Sequence, residues 1–202
     1  GKPLSYNNYL DLDAALRVVR SISQTCDFGT HSCVVIKHTN PCGASVSENQ
    51  VSAWENSLAS DPESAFGCVI AFDQVVERET AESIGNHFFE CMIAPGYKSD
   101  ALEILSESKN RRILTLDPLG ELTDEPKIRQ VQGGWLSQIQ GIPNIDWENV
   151  RHVTEKTLDG DELNLARFGT SVIAEVQSNA IILVVKTENG YSTVGVGPGQ
   201  TS

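Results

Sequence analysis

The sequence predicts an α/β protein in which a mostly parallel sheet is flanked by helices. Two observations carry this prediction: short apolar runs rich in β-branched residues recur along the first 116 residues, and segments with helical apolar spacing separate them. Alternation of this kind is typical of repeated βα units, which form parallel sheets covered by helices. A chain of 202 residues is long enough to bury a substantial core.

The first lobe is predicted to span residues 1–116. Its first helix follows from apolar residues at helical spacing over 12–22, with Asp11 or Asp13 as the N-cap. The apolar run Cys33–Ile36 predicts the first strand, which lies directly before a turn built on Asn, Pro and Gly.

The second helix is predicted to begin at a capping box formed by Ser47 and Gln50. The rest of the lobe alternates in the same way. Its predicted elements are a strand over 68–72, a helix over 79–88, a strand over 90–94, a helix capped by Ser99 and a strand over 113–116.

Two further segments follow the first lobe. Residues 117–160 are rich in Gly, Pro, Asp and Asn, which predicts irregular structure with short strands. This segment is expected to link the first lobe to residues 161–202, which form the start of a second lobe. The predicted elements of the second lobe are a helix over 161–176, a strand over 180–185, a turn at Asn189-Gly190 into a strand over 191–196, and a helix capped by Thr201 or Ser202.

Composition excludes several classes of partner. The formal net charge of −12 argues against nucleic acid and anionic membranes, so an anionic ligand would need local cations. No run approaches the ~20 consecutive apolar residues of a transmembrane helix. The five cysteines are scattered and odd in number, which predicts reduced, mostly buried thiols in a cytoplasmic protein.

Lys37 and His38, at the end of the first strand, are the main candidates for catalysis. A histidine can accept a proton at neutral pH, and a neighbouring ammonium can stabilise negative charge that develops on a carbonyl oxygen. This chemistry requires the two side chains to share one cavity. The alternative is a surface lysine beside a structural histidine.

Three other segments carry weaker signals. The loop at 60–67 permits close backbone approach, although an ordinary connecting loop is the simpler interpretation. Glu90 opens a predicted buried strand, where its carboxylate needs either a ligand amine or a structural Lys or Arg. Asn179 offers both a donor and an acceptor, although asparagine often only ends a helix.

The order of these motifs is more specific than any one of them. The motifs are Leu4-Ser5-Tyr6-Asn7-Asn8, Lys37-His38-Thr39-Asn40-Pro41-Cys42-Gly43, Asp61-Pro62-Glu63-Ser64-Ala65-Phe66-Gly67, Ile93-Ala94-Pro95-Gly96-Tyr97, Ser178-Asn179-Ala180-Ile181 and Gly197-Pro198-Gly199-Gln200. In this order they resemble the formyltransferase domain of the bifunctional AICAR transformylase/IMP cyclohydrolase family, over essentially the whole chain.

The resemblance implies two cytidine-deaminase-like, three-layer lobes, the second of them incomplete. It implies transfer of a formyl group from 10-formyltetrahydrofolate to the 5-amino group of AICAR, in a homodimer whose sites are shared between subunits and without a metal. His38 would accept the proton and Lys37 would stabilise the transition state. The implied substrate-binding residues are Asn8, Asn40, Gly67, Glu90 and Asn179, the last of which would serve the partner subunit's site.

Two departures from the family pattern stand out. Cys68 replaces a glycine, and residues 174–177, usually basic in the family, are Ala-Glu-Val-Gln. Arginine-bearing family segments are expected upstream of Gly1 and after Ser202, as is a cyclohydrolase domain, so the chain is predicted to be inactive alone.

Two other functions remain open. One is a non-catalytic scaffold or dimerisation fragment. The other is a zinc deaminase, suggested by the implied fold and by the spacing of His38 and Cys42, although the H-x-E and P-C-x-x-C signatures are missing.

Overall fold

The structure, a computed structural model, describes residues 2–141 and 145–199. The helices are α1 (Tyr6–Thr25), α2 (Gln50–Ser60), α3 (Arg78–Ile84), α4 (Ser99–Ser106) and α5 (Gly160–Ile173), with a short 3₁₀ turn at Trp147–Asn149. The strands are β1 (His31–Lys37), β2 (Asn40–Ser47), β3 (Cys68–Phe72), β4 (Phe89–Ala94), β5 (Arg112–Thr115), β6 (Glu125–Val131), β7 (Gly134–Gln140), β8 (Ile181–Thr187) and β9 (Gly190–Gly197).

Seven of these strands form one mixed sheet in the order β5-β4-β3-β1-β2-β9-β8. The predicted parallel pairing holds for β3, β4 and β5. The other four pairings are antiparallel, and two of them, β1–β2 and β8–β9, are hairpins joined by two-residue turns.

Helices cover both faces of the sheet, which confirms the predicted α/β, three-layer arrangement. On one face, which we call the α2 face, Trp54, Ile84 and Leu105 of α2, α3 and α4 pack against the strands. On the other, the α1 face, Val19 and Phe168 of α1 and α5 do the same. Each strand of the centre therefore has apolar side chains on both sides.

Strand β2 is the main difference from the predicted elements, since its residues were expected to form a loop and then a helix cap. Ser47 is the last residue of this strand, and the N-cap of α2 is Asn49, whose Oδ1 accepts a hydrogen bond from the Ser52 N–H at 2.8 Å. Gly43 lies so close to α2 that an added Cβ would be 2.0 Å from the Ser57 carbonyl oxygen. Its role is close packing of strand on helix, not a turn.

Other helix ends also differ from prediction. Helix α1 begins at Tyr6, about two turns earlier than the apolar spacing indicated, because Ser5 and Asn8 form a reciprocal capping box, and neither Asp11 nor Asp13 is the cap. Ser99 lies inside α4, which begins after Lys98 without a side-chain cap. Helix α3 ends at Ile84, with Gly85 as its C-cap, before the predicted end at residue 88. The predicted cap at Thr201 or Ser202 lies outside the described residues.

Residues 160–197 join the same sheet as the first lobe, because β9 pairs with β2. The predicted lobe boundaries at residues 116 and 160 therefore do not coincide with a boundary between two sheets, and the division into lobes stays a prediction. Between them, β6 and β7 form an exposed two-stranded hairpin, here called the β6–β7 arm, in the segment predicted to hold irregular structure and short strands.

Candidate functional site

The predicted site residues all lie at one end of the seven-stranded sheet, which we call the Lys37 end. Strand register establishes this: Lys37 is opposite Asn40, Ile36 is opposite Val69, and Cys68 is opposite Phe89. Ile181 of β8 lies opposite Gly197 at the end of β9, so Asn179, two residues earlier, belongs to the same end. The start of α1 is also here, since the Thr39 N–H donates to Asp11 Oδ1 at 2.8 Å.

The β1–β2 turn holds His38 and Thr39 in a strained backbone conformation. Their φ angles are 53° and 62°, in the left-handed region that β-branched residues such as threonine rarely adopt. Besides the Asp11 contact, the Asn40 side-chain amide donates to the His38 carbonyl oxygen at 3.0 Å. Strain of this kind persists only where the surroundings enforce it, and it is frequent at functional sites.

Lys37 extends toward the α2 face. Its Nζ donates to the Phe66 carbonyl oxygen at 2.8 Å, which brings it next to Gly67. Burial raises the pKa of the Cys42 thiol to about 11 and that of Cys68 to about 12, although Lys37 acts in the opposite sense on both. These thiols therefore stay protonated at neutral pH and are not nucleophiles.

His38 extends toward the α1 face instead. It is exposed and lines a hollow of about 220 Å³ together with Asn7, Leu10 and Asp11 of α1, and Lys37 is not among the lining residues. The single cavity expected for the pair is therefore not this hollow. The two adjacent groups therefore leave the end of β1 in different directions: Lys37 contacts the Phe66 carbonyl oxygen, whereas His38, in the turn at a φ of 53°, lies near α1.

Glu90 has a protein partner. Its carboxylate accepts a hydrogen bond from Arg112 Nη1 at 2.6 Å, so the structural alternative named for this residue holds. The Glu90 side chain is still 38% exposed, which leaves room for a second donor. Gly67 lies one strand away, where its N–H donates to the Phe88 carbonyl oxygen at 2.9 Å.

The three asparagines have separate surroundings. Asn8 is buried, and its side chain accepts from the Ser5 N–H at 3.0 Å, a helix-capping role. Asn40 lines a cleft of about 580 Å³ between α1, residues 174–178 and the β6–β7 arm. Asn179 is exposed at the start of β8.

Sequence reasoning missed two arginines. Arg17 donates from Nε and Nη2 to the Glu175 carboxylate at 2.7 and 3.1 Å. This ion pair neutralises Glu175, which lies in the 174–177 stretch that is usually basic in the family. Arg112 pairs with Glu90, as described above. Both partners are distant in sequence, so no local pattern could have identified them.

The remaining features of the described residues concern metal ligands, membrane spans and cysteines. Over residues 2–141 and 145–199, no three His, Cys, Asp or Glu side chains lie together in an arrangement that could hold a metal ion. In the same ranges no helix is both long and apolar enough to cross a membrane. All five cysteines are free, and four are buried, as composition predicted.

The fold and the Lys37 end define an α/β protein with polar and ionisable groups gathered at one end of a mixed sheet. Comparison with known proteins is more specific. The model of the AICARFT/IMPCHase bienzyme family matches residues 1–202. The chain therefore belongs to this family.

Curated relatives agree with the family match. The bifunctional purine biosynthesis proteins PurH of Desulfitobacterium hafniense and Limosilactobacillus reuteri are each 40% identical to the chain over 99% of its length. That of Persephonella marina is 34% identical over the whole chain. The chain spans 37% of the length of these relatives.

Proposed function

We propose that the chain is part of a purine biosynthesis enzyme and carries one side of a formyl-transfer site. The reaction moves a formyl group from 10-formyltetrahydrofolate to the 5-amino group of AICAR. The observation that carries the proposal is that residues dispersed from Asn8 to Asn179 lie at a single end of the sheet. Chance placement would scatter them over both ends of the sheet.

The proposed chemistry follows from the low nucleophilicity of the AICAR amine. Conjugation with a ring that bears a carboxamide makes this amine a poor nucleophile, so the enzyme must position it and remove its proton. His38 is the proposed proton acceptor, because it is exposed at the rim of a hollow. Lys37 is the proposed stabiliser of the negative charge that develops on the formyl oxygen when the amine attacks the formyl carbon.

Lys37 must turn from the α2 face toward the ligand for this role. In the described residues a single hydrogen bond, to the Phe66 carbonyl oxygen, holds its Nζ. Exchanging one charged hydrogen bond for another costs little net free energy, since each contributes about 1.5–3 kcal/mol. Folate or nucleotide binding would supply the new acceptor.

A site shared between two subunits fits the spacing of the sheet. Glu90 lies at β4 and Asn179 before β8, five strand positions apart. At roughly 4.8 Å per strand the two are about 24 Å apart, too far to contact one small nucleotide. We therefore propose a homodimer in which Asn179 serves the partner subunit's site, and the exposed Ile181 and Leu183 of β8 are consistent with such an interface.

The test is His38→Ala in the full-length protein that carries this sequence. Loss of a positioned proton acceptor should lower kcat for formyl transfer roughly 10²–10⁴-fold, with little change in the KM for AICAR. His152→Ala, outside the predicted site, is the matched control. Unchanged formyl transfer in His38→Ala would show that the assigned base is wrong.

The isolated 202-residue chain should neither transfer formyl groups nor bind AICAR tightly, because it spans only 37% of its relatives' length and the resemblance implies that arginines outside it complete the site. Calorimetry with AICAR measures this directly. Micromolar binding by the isolated chain would contradict the proposed dependence on further segments.

A further inference from the structure

We infer that Asp11 is a positioning residue for His38: it fixes the β1–β2 turn to α1 and so keeps the imidazole at the rim of its hollow. Asp11 Oδ1 accepts a hydrogen bond from the Thr39 N–H at 2.8 Å. All three residues line the hollow of about 220 Å³. This role rests on the proposed function of His38 as proton acceptor, and it adds a residue that acts through the backbone of the turn.

The β1–β2 turn needs an anchor outside the hairpin. His38 and Thr39 both have positive φ, which costs free energy in residues that carry a Cβ. The other hydrogen bonds of the turn are local, since the Thr39 hydroxyl and the Asn40 side-chain amide both donate to the His38 carbonyl oxygen. Over residues 2–141 and 145–199, only the bond to Asp11 joins His38 or Thr39 to a part of the chain beyond the hairpin. The conformation of the turn therefore depends on this contact.

Helix α1 provides a rigid support for the contact. The helix begins with the reciprocal capping box of Ser5 and Asn8. Leu12 and Ala15, which follow Asp11 on the helix, are buried against the sheet. A carboxylate on a packed helix gives the turn a fixed acceptor, and hydrogen bonds with a charged partner are shorter and stronger than neutral ones.

Asp11 does not act on the imidazole directly. In the part of the chain that the structure describes, its carboxylate makes no hydrogen bond within 3.5 Å and no ion pair within 4.0 Å with the His38 ring. Its effect must therefore pass through the Thr39 N–H and the backbone of the turn. Because the turn requires an acceptor oxygen at this place, a neutral amide of the same shape should supply it.

The test compares Asp11→Ala with Asp11→Asn in the full-length protein that carries this sequence. Asp11→Ala removes the acceptor and lets the turn relax, so kcat for formyl transfer should fall roughly 10–10²-fold with little change in the KM for AICAR. Asp11→Asn keeps an oxygen at the same place and should recover most of the lost rate. Equal losses in the two variants would show that the charge matters rather than the hydrogen bond, and would overturn the inference.

Coupling to His38 separates positioning from a general structural effect. In a His38→Ala background, Asp11→Ala should lower kcat no further, because the group that it positions is already missing. Losses that multiply in the double variant would overturn the inference, since Asp11 would then act on another group. The control is Glu103→Ala, which removes an exposed carboxylate of α4 on the opposite face of the sheet and should leave kcat unchanged.

Deuterium exchange of the Thr39 amide tests the hydrogen bond independently of activity. In turn-containing peptides from the same full-length variants, this amide should exchange faster in Asp11→Ala than in Asp11→Asn or the unmodified protein, while urea unfolding confirms that all are folded. Unchanged exchange in Asp11→Ala would overturn the inference. If His38→Ala retained formyl transfer, the proposed function would fail instead, and the exchange result would still decide whether Asp11 holds the turn.

Discussion

The β1–β2 and β6–β7 hairpins have the same local design and opposite surroundings. Each joins two antiparallel strands through a two-residue turn. Nearly every residue of β1 and β2 is buried between two layers of helices, whereas nearly every residue of β6 and β7 is exposed. Tertiary packing, not strand pairing, therefore separates the rigid centre of the molecule from its arm.

The turns of the two hairpins also differ, in backbone strain. The arm turns at Gly133, whose φ of +88° suits a residue without a Cβ. The central hairpin turns at His38 and Thr39, which adopt positive φ without being glycines. The buried strands on either side supply the stability that lets the central turn keep a strained conformation, and this turn carries the proposed base.

The largest expected effect comes from a pair of variants that test whether tertiary packing makes the central hairpin more stable than the arm. Ile36→Ala in β1 removes a fully buried side chain and should lower the free energy of unfolding by about 2–5 kcal/mol. Ile128→Ala in β6, at a 63% exposed side chain, should change it by less than ~0.5 kcal/mol. Urea unfolding followed by circular dichroism measures both.

A loss of more than about 2 kcal/mol in Ile128→Ala would break the comparison, since it would mean that the arm buries its apolar face in solution. Size-exclusion chromatography at the same concentrations serves as the control for self-association.

A smaller effect concerns the contact that joins the arm to the body of the protein. Gln140 of β7 donates to Glu175 at 3.3 Å, and Glu175 also pairs with Arg17. Glu175→Ala leaves the largely buried guanidinium unpaired and should cost about 2–3 kcal/mol, less than for a fully buried pair. Amides of β6 and β7 should also exchange faster with deuterium.

Glu82→Ala is the control for this prediction, because it breaks the exposed Arg78–Glu82 pair and should cost less than ~0.5 kcal/mol. Equal losses of stability in the two variants would mean that Glu175 does not anchor the arm.

The comparison also explains what the sequence could predict. Apolar runs such as Cys68–Phe72 predict their strands because hydrophobicity alone decides them. Strand β2 was missed because Asn40, Pro41 and Gly43 are typical turn residues, and only their pairing with β1 and the contact of Gly43 with α2 make them a strand. Turn composition competes with tertiary pairing, and here pairing prevails.

The site shows the same limit. Resemblance predicted which residues meet at the Lys37 end, and register agrees with that grouping. The different directions of Lys37 and His38 depend on the turn after β1, where His38 adopts a φ of 53° that its residue type does not predict. The Arg17–Glu175 and Arg112–Glu90 pairs join distant segments, which no local pattern reveals.

The smallest expected effect compares the two turns through changes in stability of opposite sign. Introducing a glycine in the central turn should stabilise the protein, whereas removing the glycine of the arm turn should destabilise the arm. Thr39→Gly relieves a left-handed residue and keeps the backbone N–H that donates to Asp11. Left-handed strain of about 1–2 kcal/mol exceeds the entropic cost of glycine, so stability should rise by roughly 0.5–1 kcal/mol. Gly133→Ala places a Cβ at positive φ and should destabilise the arm by a similar amount.

Urea unfolding measures the change for Thr39→Gly, and amide exchange within β6 and β7 measures it for Gly133→Ala. If strain in the central turn holds His38 against α1, Thr39→Gly should also lower kcat for formyl transfer in the full-length protein while stability rises. A lower free energy of unfolding in Thr39→Gly would mean that the turn holds His38 and Thr39 without strain. The positive φ angles would then reflect ordinary turn geometry, as they do at Gly133.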